Sequence, residues 1–203
     1  LGDRERIETV IGLIQARLSH QPVVVCSAHA GMTDLLLEGA RRAAAGEADL
    51  APIEDRERGL LRDLGLEPTL VDDELERLRK MFEGLALLGE LTPRSLDLVA
   101  ACGERMSVKA VAALLRLRGT PATAVQADEA GLLTDSRHPR ATPLPQAYAN
   151  LQEALTGLEG VPVVTGFIGR DEEGNVTTLG RSGSDFTATI VGRALSADEV
   201  QIW

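Results

Sequence analysis

Aromatic residues are scarce in this chain: three Phe, one Tyr and one Trp among 203 residues. Its core must therefore be aliphatic, built mainly from Leu, Val and Ala. Cysteine is limited to Cys26 and Cys102, far apart, in apolar or small-residue contexts and with no ligand cluster beside them. Such thiols read as buried and reduced, which fits a cytoplasmic setting. No apolar run reaches membrane-spanning length and no signal-peptide pattern occurs, so no membrane partner is expected. Basic residues are also in deficit, with 21 Lys and Arg against 31 Asp and Glu and a net charge of -10. Nucleic-acid affinity rests mainly on phosphate contacts from a basic face, so that partner is not expected either. A Gly-x-x-x-x-Gly-Lys-[Ser/Thr] phosphate loop is absent, which excludes a P-loop phosphotransferase.

What is present is an alternation of short apolar runs with longer helical patterns, in one domain's worth of chain. Residues 3–19 carry an amphipathic stripe of Ile7, Val10, Ile11, Ile14 and Leu18. Val23–Cys26 is wholly apolar, as a parallel strand buried on both faces requires. Small residues then lead to Thr33, a cap for a helix expected from Asp34 to about Ala45. From Ile53 to Leu91 charges are dense and no strand is legible. Two helices are expected there, 53–64 and 73–88, as an elaboration beside the sheet. The run Glu54-Asp55-Arg56-Glu57-Arg58 reads as a solvated face. A long helix follows over Pro93–Leu117, and Gly103 within it suggests a close backbone approach. Strands are expected over Thr123–Gln126 and Val161–Phe167, with a loop at 135–146 and a helix near Gln146–Leu155. His20 and His138, close to prolines, are expected in surface loops.

The densest signal lies near the C-terminal end. An apolar run passes through a Gly-punctuated hairpin into Leu179-Gly180-Arg181-Ser182-Gly183-Ser184-Asp185, and a helical pattern follows at once. A bare turn at a helix start exposes unpaired amides at the positive end of the dipole, which favours an anion. Arg181 can grip a carboxylate through two parallel hydrogen bonds. Ser184 and Asp185 are equally good helix caps, and on residue type alone either reading stands.

Thr177-Thr178-Leu179-Gly180-Arg181-Ser182-Gly183-Ser184-Asp185-Phe186-Thr187-Ala188, with Gly166-Phe167-Ile168-Gly169 before it, resembles the signature of the aspartate kinases. Two more segments resemble that family in the same order: Val23-Val24-Val25-Cys26-Ser27-Ala28-His29-Ala30-Gly31-Met32-Thr33 and Gly103-Glu104-Arg105-Met106-Ser107. The final Glu199-Val200-Gln201-Ile202-Trp203 resembles the family's strand before a Thr-Asp-Val-Asp-Gly motif. The resemblance implies the amino-acid kinase fold, a three-layer αβα sandwich around a mainly parallel sheet, incomplete at both ends, with 53–91 as a helical insertion in a partial catalytic domain spanning 1–203. It implies transfer of the γ-phosphoryl group of ATP, with Mg2+, to the side-chain carboxylate of L-aspartate, the first step of lysine, threonine and methionine biosynthesis. A homo-oligomer is implied for the full-length enzyme.

Residue by residue, the resemblance implies that Thr33 and Ser184 bond the substrate, Glu104 faces its ammonium and Arg181 clamps a carboxylate. Ser182 and Gly183 complete that turn, Asp185 lies near the transferred phosphoryl group, the Gly166-Phe167 backbone walls the pocket and Ser27 lies near the nucleotide phosphates. Asp185 and Arg181 are the implied catalytic pair. His29 replaces a small or apolar residue and reads as substitution, because an ionised carboxylate nucleophile has no proton to remove. Ser182 stands where the family usually has glycine, a change the turn tolerates if φ stays negative. The family's opening Lys-Phe-Gly-Gly-Thr turn and its nucleotide segment are not in the chain, so an internal piece, inactive alone, is expected. Two alternatives stay open: a related carboxylate or carbamate kinase, and a non-catalytic aspartate-binding regulatory subunit.

Overall fold

The structure, a computed structural model, describes residues 1–203. Two three-stranded sheets form. The first orders β1 (Val24–Cys26), β4 (Val161–Thr165) and β2 (Ala122–Val125) side by side, all parallel, with Val25 opposite Val164 and Ala124 opposite Val163. Every residue of β4 is buried, as its unbroken apolar run predicts for a central parallel strand.

Alternation along β4 builds the layers. Val163 packs with Ile7 and Ile11 of α1 (Arg4–Gln15) and with Val108 and Val111 of α5 (Pro93–Leu117). Its neighbour Val164 points the other way, into Leu151 and Leu155 of α6 (Gln146–Leu155) and Ile190 and Val191 of α7 (Gly183–Ala194). The result is the expected helix–sheet–helix sandwich with an aliphatic core. Both thiols are buried and unpaired. Burial pushes each up to about 12, with the Glu104 charge second for Cys26 and the Glu74 charge second for Cys102.

A separate core lies beside the sandwich. Here α2 (Met32–Ala44), α3 (Ala51–Asp63) and α4 (Asp72–Leu88) pack on one end of α5 through Leu36, Leu61, Leu78, Phe82 and Met106. Of these, α2 is the helix expected after Thr33, and α3 and α4 are the two helices expected at 53–64 and 73–88. The charged run at 54–58 is only in part a solvated face: Asp55 and Arg56 are exposed, but the rest is not free in water. Glu57 is fully buried against His29, and Arg58 pairs with Glu54 at 2.9 Å and Asp72 at 2.8 Å. Mixed charges at helical spacing look alike whether they meet water or a neighbouring element.

The second sheet orders β3 (Leu133–Thr134), β5 (Ile168–Asp171) and β6 (Val176–Thr178). β5 and β6 form the anticipated antiparallel hairpin. β3, only two residues long, has no legible alternation and is not expected from the sequence. The strand expected to reach Phe167 stops at Thr165, because Phe167 adopts φ +66 and turns the chain. His20 is exposed, whereas His138 is half-buried on Asp97 rather than free on a loop.

Candidate active site

Four chain segments converge at the C-terminal end of the parallel sheet, where open α/β folds bind ligands. Ser27 comes from the β1–α2 turn, Thr33 from the first turn of α2, Glu104 from α5, and Phe167 from the turn after β4. Gly180, Ser182, Gly183, Ser184 and Asp185 come from the turn into α7. Together these nine residues line a cleft of about 320 Å³, a volume suited to a small molecule.

Close packing at Gly103 brings Glu104 there. A Cβ on Gly103 would meet Leu36 Cδ1 at 2.9 Å and Ala28 Cβ at 3.1 Å, so only glycine lets α2 and the β1–α2 turn rest on α5. Glu104 is thereby 4 % exposed, and its Oε2 has no hydrogen-bond partner. Desolvation pushes its carboxyl up to about 8, opposed by the Ala28 backbone N–H. Residue type alone favours a solvated glutamate on a charged helix; the tertiary approach at Gly103 overrides that preference.

Opposite stands the start of α7. Gly166 and Gly183 make its approach possible. A Cβ on Gly166 would lie 2.6 Å from Ser184 Oγ, and one on Gly183 would lie 2.5 Å from Phe167 Cδ2. The Phe167 N–H donates to Thr187 Oγ1 at 2.9 Å, fixing the wall to the helix. Neither Ser184 nor Asp185 caps α7. The cap position is Ser182, whose side chain makes no capping bond and whose φ is +56. The serine thus sits in the left-handed region, contrary to the expectation of negative φ. First-turn amides of α7 lack intrahelical acceptors, so the helix presents its positive end to the cleft.

The cap of α2 is likewise not Thr33. Gly31, at φ +75, starts that helix, and half-buried Thr33 lies in its first turn with its side chain on the cleft. Arg181 is exposed and does not line the cleft, although Gly180 and Ser182 on either side of it do. Gly166 lies behind Ser184 rather than on the surface of the cleft. Every other residue predicted for the site is in the lining. Gly180 is added, at φ +77, and its place in the quoted motif is the available signal.

His29 is neither exposed nor isolated. Its Nδ1 lies 3.0 Å from Glu57 Oε2 with both side chains buried, so the Ser27–Thr33 turn is tied to α3. Arg56 adds a bond to the Ala30 carbonyl. No group of three or more His, Cys, Asp or Glu is arranged to hold a metal ion, and no helix is long and apolar enough to cross a membrane.

Comparison with known proteins identifies the family. The model of the amino acid kinase family matches residues 1–203. Aspartokinase 3, chloroplastic, of Arabidopsis thaliana is 36 % identical over 98 % of this chain and 38 % of its own length. Lysine-sensitive aspartokinase 3 of Escherichia coli (strain K12) is 36 % identical over 89 % of this chain and 41 % of its own length. Among solved structures, E. coli aspartokinase III in complex with aspartate and ADP (R-state) superposes with a TM-score of 0.79. It is 32 % identical and covers 100 % of this chain and 46 % of that one. The chain thus spans less than half the length of these relatives. Its whole length matched by the family model and its fold shared with a solved relative, the chain belongs to the amino acid kinase family.

Proposed function

We propose that this chain is part of an aspartate kinase, a longer enzyme that transfers the γ-phosphoryl group of ATP to the side-chain carboxylate of L-aspartate. The observation that carries the reading is Glu104, a buried carboxyl with one unpartnered oxygen, facing the positive end of α7 across a small cleft. A ligand with an ammonium at one end and carboxylates at the other matches that polarity. The names of the relatives and the aspartate and ADP bound by the solved relative support the same choice.

In this reading Glu104 receives the ammonium, while Thr33, Ser182, Gly183 and Ser184 supply hydroxyl and amide donors. Arg181 makes no ion pair within the chain and extends to clamp a carboxylate by a double hydrogen bond. The Gly166-Phe167 turn backs the pocket and Ser27 lies toward the nucleotide phosphates. An ionised side-chain carboxylate oxygen attacks the γ-phosphorus, the bond to the β-phosphate oxygen breaks, and ADP leaves. No proton moves, so no general base is required, and the protein's contribution is alignment and charge neutralisation. Asp185, beside the ammonium, keeps it oriented while the phosphoryl group passes. Mg2+ belongs with the nucleotide, because it is usually held by phosphates, waters and one or two carboxylates rather than by a protein cage. A cytoplasmic, homo-oligomeric enzyme opening lysine, threonine and methionine biosynthesis completes the proposal.

The test is an assay of the full-length protein containing this chain, with ATP, Mg2+ and candidate acceptors, trapping the acyl phosphate with hydroxylamine. Hydroxamate formation that depends on L-aspartate is expected. Preference for glutamate or another acceptor would favour a related carboxylate kinase. Binding of aspartate without turnover would favour a regulatory subunit.

A further inference from the structure

Asp97 lies on α5 seven residues before Glu104, about 10.5 Å along the same helix face. It is 2 % exposed, and its carboxylate is filled by donors from outside the helix. The Thr178 N–H donates to Oδ2 at 3.2 Å and the Thr178 hydroxyl to Oδ1 at 2.7 Å. His138 brings Nδ1 within 2.5 Å of Oδ2. The Thr178 hydroxyl has one proton and a second acceptor, the Pro139 carbonyl at 3.2 Å, so the shorter, charge-assisted bond to Asp97 takes it.

Thr178 is the last residue of β6, and Leu179-Gly180-Arg181 follows it directly. Its carbonyl accepts the Ala141 N–H at 2.9 Å, and the Leu179 N–H donates to the Phe167 carbonyl at 2.9 Å. The 135–146 segment also leans on Gly180, whose missing Cβ would lie 3.2 Å from Arg140 Cγ. One rigid helix therefore holds Glu104 directly and holds the base of the Arg181 turn through Asp97.

We propose that Asp97 is a positioning residue that presets the separation between Glu104 and the Arg181 turn, with His138 latching the neighbouring loop to the same carboxylate. The inference rests on the aspartate kinase reading and specifies how that site selects a ligand of one length. Because a clamp on a group that does not react is made equally in ground and transition states, its loss raises KM and leaves kcat.

The experiment uses the full-length protein with Asp97→Asn, Thr178→Val and Thr178→Ser. Asparagine keeps the size but removes the charge and one of the two acceptor oxygens that three donors share; valine keeps the shape and removes the hydroxyl. The expected result is a rise of roughly tenfold in KM for aspartate in D97N and T178V, with kcat and KM for ATP within about twofold, and recovery in T178S. Amide hydrogen exchange in the ligand-free protein is expected to quicken at residues 179–183 in the same two variants. Should D97N fail to fold, the Thr178 pair decides. An unchanged KM for aspartate with wild-type exchange overturns the inference, as does a parallel loss of kcat and both affinities, which marks general destabilisation. If the wild-type protein phosphorylates no aspartate, the functional reading fails, and the exchange measurement alone then judges the clamp.

Discussion

Replacing Glu104 with Gln is expected to make the protein more stable at neutral pH while disabling its cleft. The buried carboxyl titrates near 8 instead of 4.5, so between those values the folded state keeps a proton that the unfolded chain has lost. Stability then falls as pH rises, by about 1.4 kcal/mol per unit, fully present below pH 4.5 and lost progressively up to pH 8. From pH 5 to pH 7 this one group removes on the order of 3 kcal/mol, a large share of a typical domain's stability. The amide of the variant carries no charge and removes that slope. Urea unfolding of wild-type and E104Q protein at pH 5 and pH 7.5, followed through the transition of this domain, measures the difference. E104Q should gain little at pH 5 and several kcal/mol at pH 7.5. Equal pH slopes in the two proteins would refute the reasoning, because Glu104 would then be solvated in the folded state. The same argument makes ligand binding release protons: an ammonium beside Glu104 favours its charged form, so at pH 7 nearly one proton should leave per aspartate bound. Calorimetry in two buffers of different ionisation enthalpy reads that number, and E104Q should abolish it.

Ser182→Gly should stabilise the fold by up to about 1 kcal/mol, the relief of a left-handed serine less the entropy that glycine adds to the unfolded chain. The change in KM for aspartate should be small; a loss of activity would show that the hydroxyl has its own role. Gly183→Ala forces a Cβ to within 2.5 Å of the Phe167 ring. It should cost about 1–3 kcal/mol and weaken aspartate binding together, seen as a lower Tm and a higher Kd; wild-type values in both would refute the close-approach argument.

Where local chemistry decides, the sequence is readable. Pro93–Leu117 is both the expected and the observed span of α5, because Thr92 caps it, accepting the Ser95 N–H at 3.1 Å, and Gly119 follows its end. Gly103 is legible as a close approach from its place in an apolar stripe. The turn into α7 is legible from its order, a Gly-punctuated stretch running straight into a helical pattern, but its cap and the positive φ of Ser182 are not. What escapes is decided by partners distant in sequence. Glu57 and His138 find buried acceptors or donors only because α3 and the 135–146 segment fold back on the β1–α2 turn and on α5. Thr33 loses its capping role to Gly31, whose positive φ no pattern of hydroxyl residues reveals. Asp97 offers one clue, its spacing of seven from Glu104, which places both carboxylates on one face of the helix.

The central claim, a cleft polarised to hold a small dicarboxylic amino acid between Glu104 and the start of α7, is tested most directly by a crystal structure of the full-length protein grown with L-aspartate. The account predicts the ligand's ammonium within about 3 Å of a Glu104 oxygen and a carboxylate paired with Arg181. Aspartate bound away from this cleft, or turned so that a carboxylate faces Glu104, would contradict it.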